Sequence, residues 1–181
     1  MTAGRSVAAA LVVAVVAGPA LPACGTESVT IPQCEPSQRL GLVAQSVPGA
    51  AYVPCVDELP AGWSFEELEV DDDGATFSLE SDRADRPVEV SLSPRCDVGA
   101  ATPVAARDEG VRTYQVADSI SPHYAGRYYD VFPQGCVTYE FEFERGPHVA
   151  LVDDMLRAVQ LYPRRQLRQE LEDELGLTLD E

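Results

Sequence analysis

The run from Cys136 to Glu144, Cys-Val-Thr-Tyr-Glu-Phe-Glu-Phe-Glu, constrains this chain more than any other stretch. Val137, Tyr139, Phe141 and Phe143 alternate without a break with Thr138, Glu140, Glu142 and Glu144. A period of two puts the first set on one face of a strand and the second on the other, so one face is core and the other meets water. Neighbouring glutamates on that wet face sit about 7 Å apart and repel mildly. They read as a solvated face with cross-strand arginine neighbours, Arg127 or Arg112, rather than as a receptor for a basic partner or a divalent cation.

Shorter runs of the same kind surround it. Arg127 to Phe132 precedes the long strand across Pro133-Gln134-Gly135, which predicts a hairpin with glycine in its turn. Phe65 to Val70 and Ala75 to Glu80 flank Asp71-Asp72-Asp73-Gly74, a second hairpin whose Asp-Gly is expected to supply positive φ. Three aspartates invite calcium, but an EF-type loop spaces its ligands on alternate residues and closes with a glutamate that is missing here. Val88, Val90 and Leu92 alternate in a further strand, Val111 to Ala117 reads as another, and Tyr52 to Val56 as a short strand or extended arm. The stretch from Asp97 to Gly110 has no period and reads as loop. Trp63, the only tryptophan, follows a Pro-Gly turn and reads as a core plug rather than a ligand platform.

Helical spacing appears at the two ends. Pro36 to Ser46 carries Leu40, Val43 and Ala44 at helical intervals and is stopped by Val47-Pro48-Gly49. Pro147 opens a helix with a stripe of Leu151, Val152, Met155, Leu156 and Val159, leaving Asp153, Asp154, Arg157 and Gln160 opposite. A last helix starts at Pro163, repeats Leu167, Leu171 and Leu175, and ends at Gly176. Arg164, Arg165 and Arg168 crowd its first half and Glu170, Glu172, Asp173 and Glu174 its second, against the macrodipole. Packing can override so small a penalty, or the three arginines are contacts for an anionic partner. The expected fold class is α+β: an antiparallel sheet of about six strands packed on the C-terminal helices.

The N-terminus sets the compartment. Arg5 precedes an uncharged apolar run from Ser6 to Gly18, which is secretion-signal grammar. That run is too short for the roughly 20 residues a bilayer-spanning helix needs. Leu21-Pro22-Ala23-Cys24 then places an aliphatic residue three before a cysteine and a small residue just before it. This segment resembles the lipobox of bacterial lipoproteins, and the arginine-only basic set and Ala- and Pro-rich composition look like those of secreted lipoproteins of high-GC actinobacteria. Pro22 departs from the usual small or aliphatic residue. The resemblance implies a signal peptide over 1–23, lipidation at Cys24 with palmitate-type chains, a tether over 24–33 and one extracytoplasmic domain over 34–181. Ordinary cleavage and secretion is the alternative. Acyl chains, at about 0.8 kcal/mol per buried methylene, would hold the protein to the outer face of the cytoplasmic membrane.

Four cysteines remain once Cys24 is set aside. An even number in an exported chain predicts two disulfides, and sequence neighbours favour Cys34 with Cys55 and Cys96 with Cys136. Zinc is disfavoured, because no C-x2-C pair exists. The chain has 30 acidic residues against 13 arginines and no lysine, a net charge of −17 that becomes more negative when Arg5 is cleaved away. Such a surface repels nucleic acid and anionic headgroups.

Catalytic signatures are missing: no G-x-S-x-G, no H-E-x-x-H, no phosphate loop and no C-x-x-C. Of the two histidines, His123 lies in a loop near Ser121 and His148 opens a helix. Neither stands in a triad by sequence, and Glu140 with Glu142, neighbours on one strand face, cannot flank a sugar from two sides. The expectation is therefore a non-enzymatic envelope lipoprotein, a binding or assembly module for another envelope protein or a small ligand, without cofactor or metal. A hydrolase using His123 or His148, or a structural accessory without ligand, are the alternatives.

Overall fold

The computed structural model describes residues 31–144 and 147–180; the signal, Cys24 and the first part of the tether lie outside them. In chain order the elements are α1 (Gln38–Ser46), β1 (Tyr52–Val56), β2 (Trp63–Val70), β3 (Ala75–Ser81), β4 (Val88–Ser93), β5 (Thr102–Val104), β6 (Arg112–Ser119), β7 (Tyr124–Phe132), β8 (Gly135–Phe143), α2 (His148–Ala158), β9 (Val159–Pro163) and α3 (Arg164–Glu170). Seven strands make one antiparallel sheet in the order β2-β3-β4-β8-β7-β6-β5, and β1 pairs with β9 in a separate two-stranded ladder. The fold is α+β, with seven strands in the main sheet where about six were expected.

β8 lies at the centre of the sheet and behaves as its alternation requires. Val137, Tyr139, Phe141 and Phe143 are buried and Glu140 is exposed. β3 alternates in the same sense, so Phe77 and Leu79 join the buried face. Against that face the helices contribute Leu40 and Val43 from α1 and Leu151 and Met155 from α2, all in one continuous core. Each such side chain contributes about 1.5–3 kcal/mol of transfer free energy. Ser37 caps α1, its hydroxyl oxygen accepting from the Leu40 N–H at 3.2 Å. Trp63 is buried in the core as expected, with its indole N–H unpartnered among the described residues.

Both disulfides form with the expected pairing. Cys34–Cys55, with Cα atoms 5.0 Å apart, fastens the incoming chain to β1. The fold starts earlier than 34: the Val56 N–H donates to the Pro32 carbonyl at 2.8 Å, and Ile31 packs on the core. Cys96–Cys136 ties the segment after β4 to the start of β8. Two disulfides fit an oxidising, extracytoplasmic compartment. Among the described residues no helix is long and apolar enough to cross a membrane.

Several local expectations change. Residues 102–104 of the expected loop form an edge strand, where Pro103 lacks only a donor that an edge can do without. The opposite edge, β2, carries a bulge between Phe65 and Leu68 at the exposed Glu66 and Glu67, which blunts further pairing. In the β7–β8 hairpin the positive φ of 58° falls on Gln134, not on a glycine. Gly135 serves a different end, since a Cβ there would lie 2.8 Å from Ala50 and 2.6 Å from the Phe132 ring. Gly74 is likewise not at positive φ. The Asp71 carboxylate accepts the Asp73 and Gly74 N–H groups at 2.8 and 2.9 Å to close the turn, and a Cβ on Gly74 would meet the Leu92 carbonyl oxygen at 2.2 Å.

At the C-terminus, Val159 begins a strand rather than ending a helix, because Val159–Pro163 pairs with β1. Asp154, expected on the wet side of α2, is buried and bonded to Arg83 and Arg157. Past α3 the helix widens into a π-helical turn over Leu171–Leu175. The wider winding carries Leu175 off the Leu167 and Leu171 face, leaving it exposed. Gly176 does close the helix, at φ 65°.

Candidate functional site

The three arginines singled out in the last helix come to one place. β9 ends at Pro163 against Tyr52 of β1, and α3 begins at once, so its first turn faces the chain that leaves α1. A cleft of about 530 Å3 lies there, lined by residues 48–51, Tyr52, Pro163, Arg164, Arg165 and Arg168. No carboxylate is among these lining residues. In a chain of net charge −17 that is a local inversion of sign.

The three side chains do different things. Arg164 is only 5% exposed. Its guanidinium donates to the Ala44 carbonyl, to the Val47 carbonyl at 3.5 Å and to the Asp180 carbonyl at 2.8 Å. It therefore caps the end of α1, which has no basic residue in its own last turn, and ties down the C-terminal tail. As a direct partner contact Arg164 is corrected: it is committed to the fold, and only its flank lines the cleft. Burial lowers its pKa from the usual arginine value, Arg168 lowers it further and Asp180 works against both. Its Nε is buried with no hydrogen-bond partner among the described residues. Arg165 is exposed and Arg168 half-buried.

A second opening, of about 360 Å3, lies on the other flank of α1 between Leu42 and the tail residues Leu177 and Leu179. Among the described residues its lining carries no charge, and Leu42 is exposed there.

The sequence reading missed a buried polar cluster under α2. Asp130 of β7, 1% exposed, accepts from the Thr113 hydroxyl at 2.6 Å, from Arg107 at 2.9 Å and from the Tyr139 hydroxyl at 3.0 Å. Arg107 also donates to the Leu156 carbonyl and, at 3.3 Å, to the Val159 carbonyl, where α2 ends. Burial, reinforced by the charge of Asp130, pushes the Tyr139 phenol well above its ordinary pKa. For Arg107 burial works downward, but Tyr139 and Asp130 outweigh it and the guanidinium rises. Asp130, Thr113 and Tyr139 are buried, and Arg107 covers them from the partly exposed side, so that the cluster serves as a latch between sheet and helix. Tyr139 gives a sequence signal only as an apolar-face residue, and Arg107 gives none.

The histidines stand apart. His123 is exposed, and its carbonyl accepts the Ser119 hydroxyl at 2.8 Å. His148 stacks on Tyr124 at 5.5 Å and on Phe143 at 6.4 Å, with Nε2 buried and unpartnered among the described residues. The structure assembles no Ser-His-acid grouping at either among the described residues. Of the two arginines expected across from the glutamate stripe, one is there. Arg127 does face Glu140 in register, but its guanidinium bonds both Asp118 oxygens at 3.1 Å, while Arg112 faces Val131. Arg86, from the loop before β4, pairs with Glu142 at 2.8 Å and approaches Glu144 at 3.9 Å. Among the described residues no group of three or more His, Cys, Asp or Glu is placed to hold a metal ion. Comparison with protein families, with curated proteins and with solved structures finds no match to this chain.

Proposed function

We propose that the protein is a lipid-anchored envelope lipoprotein, held through Cys24 at the outer face of the cytoplasmic membrane, whose domain is a non-enzymatic binding or assembly module. The arginine-lined cleft beside α3 is its recognition surface, for another exported protein or a small envelope ligand. The observation that carries the reading is the opening beside α3, whose lining includes Arg165 and Arg168 and, among the described residues, no acid, in a chain with more than twice as many acids as bases. The lipid reading is supported by the cysteine pairing, which leaves Cys24 as the remaining thiol.

Chemical cross-linking in intact membranes followed by purification of the full chain tests this reading. A stoichiometric partner, or a co-purifying small molecule, that is lost from the Arg165→Glu/Arg168→Glu variant supports it. Turnover of a substrate that disappears on replacing His123 or His148 would overturn it in favour of a hydrolase.

A further inference from the structure

We infer that the groove between α1 and the C-terminal tail holds one fatty acyl chain of the anchor on Cys24; the inference rests on the lipid-anchor reading and extends it. Two openings make up this groove. The one described above, of about 360 Å3, and a neighbour of about 550 Å3 share Gln38 and Leu42, so they continue one another along the outer face of α1. The opposite wall is Leu171, Leu175, Leu177 and Leu179, from the last helix and the tail. Leu42 and Leu175 are 52% and 47% exposed, so the groove presents apolar surface to water on both of its sides.

Three observations name the occupant. The first is reach: the described chain begins at Ile31, seven residue steps after Cys24, and seven fully extended steps span at most about 25 Å. The second is direction. Cys34 is fastened to β1, and Pro36 and Ser37, which follow it, themselves line one end of the groove. The lipid is therefore attached within a short chain length of that end. The third is chemistry: among the described residues Arg39 is the only charge in the combined lining, and it sits at the end where the tether enters. The rest suits hydrocarbon. A methylene packed against leucine gains about what it gains in a bilayer, so that contribution alone decides little. The leucines tip the balance, because Leu42 and Leu175 stay in water when every chain is in the bilayer and are covered when one chain lies in the groove. The lipobox reading puts more than one chain on Cys24, and those left in the bilayer keep the protein on the membrane. The arginine-lined cleft opens on the opposite flank of α1, so a domain held by its groove keeps that cleft clear of the bilayer.

The test is photo-cross-linking of the full chain in its own membranes. Cells producing it are fed palmitate with a terminal diazirine, which enters both the Cys24 anchor and the membrane phospholipids. After irradiation the monomeric protein is digested and mapped by mass spectrometry. The expected product is the Cys24 peptide joined through its acyl chain to a peptide from α1 or from residues 171–179. Leu42→Glu, an exposed position that spares the core, should cut its yield about tenfold or more while the circular-dichroism spectrum stays native. Ile120→Glu, exposed in the β6–β7 connection, should leave the yield unchanged. Groove peptides linked only to phospholipid, or only to the Cys24 peptide of a second chain, would overturn the inference, as would a yield that Leu42→Glu does not lower. An acylated Cys24 peptide with no link to the groove sinks this inference and leaves the anchor standing, whereas an unacylated one sinks the anchor reading itself.

Discussion

Arg107 reaches in from the surface to form an ion pair at 2.9 Å with the buried Asp130, and the two partners are buried unequally, with side chains 28% and 1% exposed. The inequality has an energetic consequence. A carboxylate stranded without its cation in that position has no water to turn to, whereas a guanidinium that loses its carboxylate keeps partial hydration and its bonds to the Leu156 and Val159 carbonyls.

Arg107→Ala should therefore destabilise the domain by about 3–5 kcal/mol, and Asp130→Asn by clearly less, because the amide oxygen still accepts from Thr113. Denaturant unfolding of both variants checks this. Equal losses would show that the pair is not buried asymmetrically.

Asp154 governs the response to acid. The hydrogen bond from Arg83 lowers its pKa below the usual carboxylate value, burial pulls the other way, and Arg157 adds to the lowering. A depressed carboxylate contributes stability above its unfolded pKa of about 4 and loses it as pH falls through the folded value. The wild-type domain should lose this contribution on acidification below about pH 4, and Asp154→Asn should flatten that part of the profile while lowering stability at neutral pH. Melting temperatures between pH 2 and 7 decide the matter.

Tyr162 should titrate late. Burial, with the hydrogen bond it donates to Glu170, pushes its phenol up to about 12. A raised phenol favours the neutral form in the folded state, so its contribution is intact below the unfolded value of about 10 and lost as pH rises through the folded one. Alkaline difference spectroscopy should show a tyrosine ionising about two units late that is missing from Tyr162→Phe.

The Asp71–Gly74 turn offers a steric test. Gly74→Ala should destabilise by about 1–3 kcal/mol, because its Cβ must push against the Leu92 carbonyl, a backbone atom of the neighbouring strand. Gly110→Ala, whose Cβ meets nothing within 4 Å, carries only the strain of φ +76° and should cost less. Chemical denaturation of the two variants side by side gives the comparison.

The disulfides should act additively with these. Removing Cys96–Cys136, which closes the longer loop at a separation of 40 residues, should cost slightly more than removing Cys34–Cys55 at 21, each about 3–4 kcal/mol. Non-reducing peptide mapping should find all four sulfurs paired, and Cys24→Ser should shift the protein from membrane to medium.

How much was legible follows from where each signal resides. The β8 alternation, the β2–β3 and β7–β8 hairpins, the α2 stripe and the disulfide pairing can all be read locally, since each depends on residues a few positions apart or on four cysteines taken in order. β9 was hidden because Val159 and Leu161 continue the apolar look of α2, and only pairing with β1, about a hundred residues upstream, makes them a strand. Asp154 and Arg107 were hidden for the same reason. A charge reads as surface until a partner from another element meets it, and Arg83 stands 71 residues from Asp154.

By itself the sequence determines the periodicities, the breaks between them, the even set of cysteines and the crowding of Arg164, Arg165 and Arg168, because these are properties of neighbours along the chain. The tertiary structure alone decides which of those arginines is consumed by the fold. Arg164 reaches carbonyls 117 and 120 residues away and so becomes the cap of α1, while Arg165, next in sequence, is turned outward to the rim of a cleft. The physical reason is that helix ends leave carbonyls that must be satisfied, and the nearest fork of donors in space, not in sequence, satisfies them.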